Sequence, residues 1–217
     1  MSRPNFDVFG TGRACRAKVR NPLDTTTLPL IRQKKPGGTK AMNKAIKMTD
    51  ISPREDWVHL EKDVNEKFGL NAAVFENDGT RVTTYVNWGN PVCPLIKGNP
   101  KGQRYICAVA HQNLAGQAAQ TKKPVIGECD AGLVKIAVPV FVGDDLVGIA
   151  GGCGSIMSGA EVESFFVNQT TDIDEDEIKK RSQDIKAMTK TEAEAVVAFI
   201  QKRVDAMVKD FETRTNA

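Results

Sequence analysis

PVIGECDAGLVKIAVPVFVGDDLVGIAGGCG, residues 124–154, decides how this chain folds. It holds two apolar runs, Leu133–Val142 and Leu146–Ile149, separated by Gly143-Asp144-Asp145. Short polar, glycine-containing breaks of this kind close β-hairpins. A shorter run, Pro124–Glu128, enters from the other side and predicts a third strand. With the turn centred near Asp144, Cys153 folds back beside the start of the first long strand, where Cys129 leads in. The hairpin is therefore expected to gather thiols at its open end.

Working outward, Leu70–Glu76 and Arg81–Val86 read as two more strands joined at Asn77-Asp78-Gly79, a strong hairpin signal. Thr83, Thr84, Tyr85 and Val86 carry the β-branched and aromatic bias of strands. Before them, Trp57, Leu60, Val64 and Phe68 fall on one face of an amphipathic helix. Ser52, Pro53 and Glu55 predict its capped start, and Gly69 its stop. Between the sheet segments, Cys93–Ile96 reads as a helical turn. Gln103–Thr121 is a helix with Ile106, Ala110, Leu114 and Ala118 on one face, ended by Lys122-Lys123-Pro124. After Gly154 come two acidic helices, Gly159–Asn168 and Asp174–Ser182. A long helix follows, Thr189–Thr213, with Thr189 or Thr191 at its N-cap. Its stripe runs through Ala193, Val196, Val197, Ile200, Val204, Met207, Val208 and Phe211. That spacing fits packing on the domain or a two-helix seam between protomers, and a seam would suit a signalling role.

Segments of this sequence resemble the PocR sensory domain family. They are Cys129-Asp130-Ala131-Gly132-Leu133, Ala137-Val138-Pro139-Val140, Leu146-Val147-Gly148 and Gly151-Gly152. The resemblance extends upstream to Cys93 and Cys107 and covers about Trp57–Asn168. It implies a PAS- or GAF-like fold that senses a small molecule and is usually attached to a DNA-binding or signalling module. Residues and resemblance together predict an α+β fold: a five-stranded antiparallel sheet flanked by helices, with a long C-terminal helix. Three parts are expected. Residues 1–48 form a basic extended arm, 49–188 the sensory domain, and 189–217 the amphipathic helix.

Composition sets further bounds. At 217 residues, with 41% hydrophobic and 26% charged residues, the chain has the make-up of an ordinary globular protein. It has no apolar run of transmembrane length and no signal-peptide core, which predicts a cytoplasmic protein with no membrane partner. In that compartment the five cysteines are thiols or ligands, not disulfide staples. The net charge of +3 hides an asymmetry. Met1–Met48 carries eleven Lys and Arg against two Asp, while the rest is acidic. If nucleic acid is a partner, this basic arm is the only expected contact. Cys15 lies in the arm and is expected to stand apart from the other four thiols.

The chemistry-bearing candidates are Cys93, Cys107, His111, Cys129 and Cys153. Cys107 and His111 are four apart on a predicted helix and share a face. Cys93 just precedes that helix, and the other two thiols meet at the hairpin end. If the helix packs over that end, the five side chains converge. In the family that the sequence resembles, the position of Cys153 is more often glutamine, so this chain brings four thiols. Two uses follow. The side chains can line the pocket of a small organic ligand, or the four thiols can hold zinc or an iron–sulfur cluster. Cys107 with His111, or Cys129 with Asp130, lacks an orienting third group for nucleophilic catalysis, so no enzyme is expected. The sequence thus predicts a stand-alone sensor without an output module. It would act through a cysteine-lined pocket on a second protomer or a separate signalling partner. The alternative is a metal-binding or iron–sulfur redox or gas-sensing module.

Overall fold

A computed structural model describes residues 45–216. The basic arm up to residue 44, with Cys15, lies outside the described residues. Met48, placed by the sequence at the end of the arm, is fully buried and opens a four-residue helix, α1 (Met48–Ile51). Helix α2 (Arg54–Phe68) follows, with Trp57, Leu60 and Val64 buried as the periodicity requires. Its start differs from expectation. Pro53 occupies the cap position, and the Ser52 hydroxyl donates to the Asp56 carboxylate instead of capping a backbone amide. Gly69 ends the helix at φ +72°, its N–H bonded to the Asn65 carbonyl.

Four strands make the main sheet, in the order β1-β4-β3-β2, all antiparallel. They are β1 (Asn71–Glu76), β2 (Val125–Glu128), β3 (Val134–Val142) and β4 (Asp145–Cys153). The central hairpin is the one expected. Val142 pairs with Asp145 across Gly143, whose φ of +58° is the glycine-first arrangement of a type II′ turn.

The sheet has four strands, not five. The turn after β1 forms, and Phe75 bridges Arg81, but the chain leaves the sheet after Val82. Side chains take over the free edge of β1. The buried Glu61 carboxylate accepts from the Val74 N–H at 3.0 Å, and the Arg81 guanidinium donates to the Ala72 carbonyl at 3.3 Å. Thr83 turns inward to donate its hydroxyl to Glu61, and Arg81 also holds the Tyr85 carbonyl. With its edge groups satisfied in this way, β1 has no need of a fifth ladder.

Helices cover both faces. On one lie α1, α2 and the long α7 (Lys190–Thr215). Thr189 caps α7 in a reciprocal capping box with Glu192. Ala193, Val196, Ile200 and Val204 of its stripe are buried in one core with Val138, Val140 and Ala150 of the sheet. Of the two expected uses of the stripe, packing on the domain's own sheet takes these four side chains, and Val197, Met207, Val208 and Phe211 lie half-buried against the same core. On the opposite face, α3 (Val92–Gly98) leads into a π-helical stretch, Gly102–Ala108, which continues as α4 (Val109–Thr121). Ile106, Ala110, Leu114 and Ala118 are buried, as their spacing predicts.

The helix expected from Gly159 starts later, as α5 (Ser164–Thr171). Residues 160–163 instead form an irregular loop beside the turn that joins β2 to β3, with the Glu163 N–H donating to the Ala131 carbonyl at 3.1 Å. There Gly132 sits at φ +74°, and a Cβ on it would come within 2.7 Å of the Glu161 carbonyl. Helix α6 (Glu175–Ser182) is capped by Asp174. A short parallel pair, β5 (Ile156–Met157) with β6 (Ala187–Met188), ties this region to the start of α7.

Candidate functional site

The thiols meet where the hairpin opens. Cys129 follows β2 and closes a tight turn, its carbonyl accepting from Gly132 N–H at 2.8 Å and its N–H donating to Leu133 at 2.9 Å. Cys153 ends β4, paired on one side with Lys135 of β3 and on the other with Asn71 of β1. Cys93 is delivered by α3. Asn90 holds the start of that helix, its carboxamide oxygen accepting from the Val92 and Cys93 N–H groups at 2.8 Å each. The Asn90 amide also donates to the Cys93 sulfur at 3.2 Å and to the Gly154 carbonyl. Gly154 adopts φ +113°, and a Cβ there would come within 3.0 Å of the Asn90 amide, so this junction needs glycine. Cys107 stands at the end of the π-helical stretch. A Cβ on Gly102, which opens that stretch, would lie 2.3 Å from the Ile96 carbonyl, so its absence lets the stretch lie close against α3. π-Turns recur where a helix re-aims functional side chains.

All four thiols line one enclosed cavity of about 40 Å³, with Ile96, Ile106, Leu133 and Lys135. Burial pushes the Cys93, Cys107 and Cys129 thiols above the ordinary range, and each thiol discourages ionisation of its neighbours. Opposing this, Lys97 and Lys135 pull Cys107 down, and backbone N–H groups pull Cys129 down. The donor set is one that zinc or iron–sulfur chemistry uses. As the side chains stand, however, no group of three or more Cys, His, Asp or Glu among the described residues is arranged to hold a metal ion.

Beside the small cavity lies a larger one of about 500 Å³, between the sheet and α4. Cys93, Cys107 and Cys153 line both, and Cys129 lines only the smaller. His111 lines the larger, its ring 4.1 Å from that of Phe75. Burial and then the Lys135 and Lys97 charges hold the imidazole neutral, with its pKa lowered to about 4. The wall at the far end comes from the Glu76–Gly79 turn and Leu146, and the α4 side from Ala115 and Gly116. Volume, enclosure and mixed lining are those of a small-molecule site.

A family model described as the sensory domain found in PocR matches residues 50–211. The chain belongs to the PocR sensory domain family. Neither a curated protein nor a solved structure matches it. The family is a sensory one, and no helix among the described residues is long and apolar enough to cross a membrane.

This PocR domain gathers the residues expected from the sequence into two adjoining cavities rather than one. It adds others that the sequence reading passed over: Asn71, Lys97, Lys135 and Phe75. Lys135 carried a signal, being the single charge inside the apolar run Leu133–Val142. Asn71 and Lys97 carried none, because nothing local distinguishes them from surface polar residues.

Proposed function

We propose that this PocR domain senses a small organic molecule held in the larger cavity, and that occupancy is read out by a second protomer or a separate signalling partner. The observation that supports it is the cavity of about 500 Å³, walled by the sheet and α4, in a chain of a sensory family. Helix α4 packs on β3, and α7 packs on the other face of β3. A ligand that shifts α4 against β3 therefore biases the packing of α7, which gives the site a route to the opposite surface. With Ala193, Val196, Ile200 and Val204 buried on the sheet, a partner would meet the outer side of that helix.

The test is to fill the cavity. Ala115→Trp places an indole in the wall contributed by α4. A panel of small organic compounds is screened for stabilisation of the full chain by thermal unfolding. Compounds that stabilise the wild type and not Ala115→Trp support the reading. Equal responses of the two proteins, or none in either, sink it.

The convergence of four thiols on one cavity favours a second reading, a zinc or iron–sulfur module built from Cys93, Cys107, Cys129 and Cys153. Binding would require these side chains to rearrange. Metal and sulfide analysis of anaerobically purified protein, with an absorption spectrum, decides it. Stoichiometric metal that is lost in Cys153→Ala supports this reading, and a colourless metal-free protein removes it.

A further inference from the structure

Three residues on the cavity side of the sheet stand in one row. Asn71 of β1 is opposite Cys153 of β4, and Cys153 is opposite Lys135 of β3. Side chains of one row point to the same side of a sheet, and all three line the larger cavity. Two rows along stand Phe75, Ile149 and Pro139, of which Phe75 and Ile149 line it as well. The row between is Ala73, Gly151 and Ala137, with nothing larger than a methyl group. The floor is therefore polar at one end, apolar at the other and low in the middle. Helix α3 adds Lys97, one turn beyond Cys93, to the lining.

The polar end has unspent capacity. Asn71 is 4% exposed, and its carboxamide oxygen has no hydrogen-bond partner. A half-turn of that amide offers the cavity either its oxygen or its nitrogen. Such a buried group is unfavourable until something pairs with it. Among the described residues, neither Lys97 nor Lys135 has a carboxylate within ion-pair distance. Both are half-buried. The acidic residues of the lining sit at the far end and are engaged with backbone. Glu76 accepts from the Met48 N–H, and Asp78 from the Thr80 N–H. The positive field is felt inside, where the two lysines help hold His111 neutral.

We propose that the cavity takes a small amphipathic carboxylate. Its carboxylate lies with Lys97 and Lys135, a hydroxyl or amino group beside it meets the Asn71 carboxamide, and its apolar body extends over Ile149 and Phe75. This rests on the ligand-sensing reading and names the ligand class of that site. The four residue steps of strand from Asn71 to Phe75 span roughly 13 Å, so head and body are read at separate places on the floor. Charge-assisted hydrogen bonds set the affinity of the head, and apolar burial that of the body.

The test is calorimetric titration of the full chain, at low ionic strength, with three matched probes: 2-hydroxyhexanoate, hexanoate and 1,2-hexanediol. The hydroxy acid is expected to bind tightest, with the diol weaker by about tenfold or more. Lys135→Gln should weaken the hydroxy acid by a similar factor and leave the diol unchanged. Lys97→Gln, at a less enclosed position, repeats that comparison if the strand variant fails to fold. Asn71→Ala should erase the preference for the hydroxy acid over hexanoate. Diol binding as tight as the acid, or lysine variants that bind the acid normally, overturns the carboxylate assignment and leaves the sensor reading standing. Binding of none of the probes also overturns the assignment, and the sensor reading is then judged by the Ala115→Trp screen alone.

Discussion

The two faces of the four-stranded sheet share one backbone and are finished in opposite ways. Toward α2 and α7, alternate strand residues are Ala72, Val74, Ile136, Val138, Val140 and Ala150, packed on Trp57, Leu60, Val64, Val196 and Ile200. Every one of these side chains is buried. Toward α4, Ala137 and Ile149 pack on Leu114 and Ala118, but the same face also carries Asn71, Lys135 and Cys153 beside two cavities. A sheet so firmly held on one side tolerates polar groups and empty volume on the other. The comparison teaches that stability and recognition are divided between faces, with β3 common to both.

The sharpest way to break that division is to attack the packed side at a buried charge. Glu61 is fully buried and accepts from Val74 and Thr83 while facing Arg81 at 3.7 Å. Burial raises its pKa against the pull of those partners. Glu61→Ala strands Arg81 and frees the β1 edge, so it is expected to cost about 3–5 kcal/mol, read from urea unfolding. A loss under about 1 kcal/mol would show that the edge of β1 is held by something else.

A pair of truncations sharpens the contrast. Ile200→Ala removes a fully buried side chain between α7 and the sheet and should cost about 2–5 kcal/mol. Cys107→Ala, half-buried and already facing empty volume, should cost under about 1 kcal/mol. Comparable losses in the two would mean that the cavity face bears the fold as much as the packed one.

A further effect expected is one of pH. His111 titrates near 6.5 when unfolded, and in the fold its pKa is lowered to about 4. Between those values the unfolded chain binds more protons, so this group's share of stability is present above pH 6.5 and is lost as pH falls toward 4. Thermal midpoints measured across that window should fall less in His111→Gln than in the wild type. Identical pH profiles would mean that the imidazole is not held out of water against Phe75.

Much of this was legible in the sequence, and the reason is local. Two apolar runs around a glycine turn defined the β3–β4 hairpin, and the i, i+4 spacing of Ile106, Ala110, Leu114 and Ala118 chose the buried face of the helix over it. Because a hairpin's turn sets its register, Cys153 could be placed beside the approach of Cys129. Helix ends read less well. Pro53 displaced Ser52 as the cap, and the chain before α5 stayed a loop that lies against Gly132, where only a residue without a Cβ lets it come so close.

What the tertiary structure alone decided involves partners distant in the chain. Arg81–Val86 has strand-like residues, yet Glu61, from the preceding helix, and the Arg81 guanidinium satisfy the β1 edge, and the fifth strand is lost. The α7 stripe suits a seam as well as a sheet. Its destination depended on the apolar row that Val138, Val140 and Ala150 present together. Asn71, Cys153 and Lys135 are ordinary residues far apart in sequence. Only the pairing of three strands sets them side by side, because hydrogen-bond register, not spacing along the chain, determines which side chains share a row.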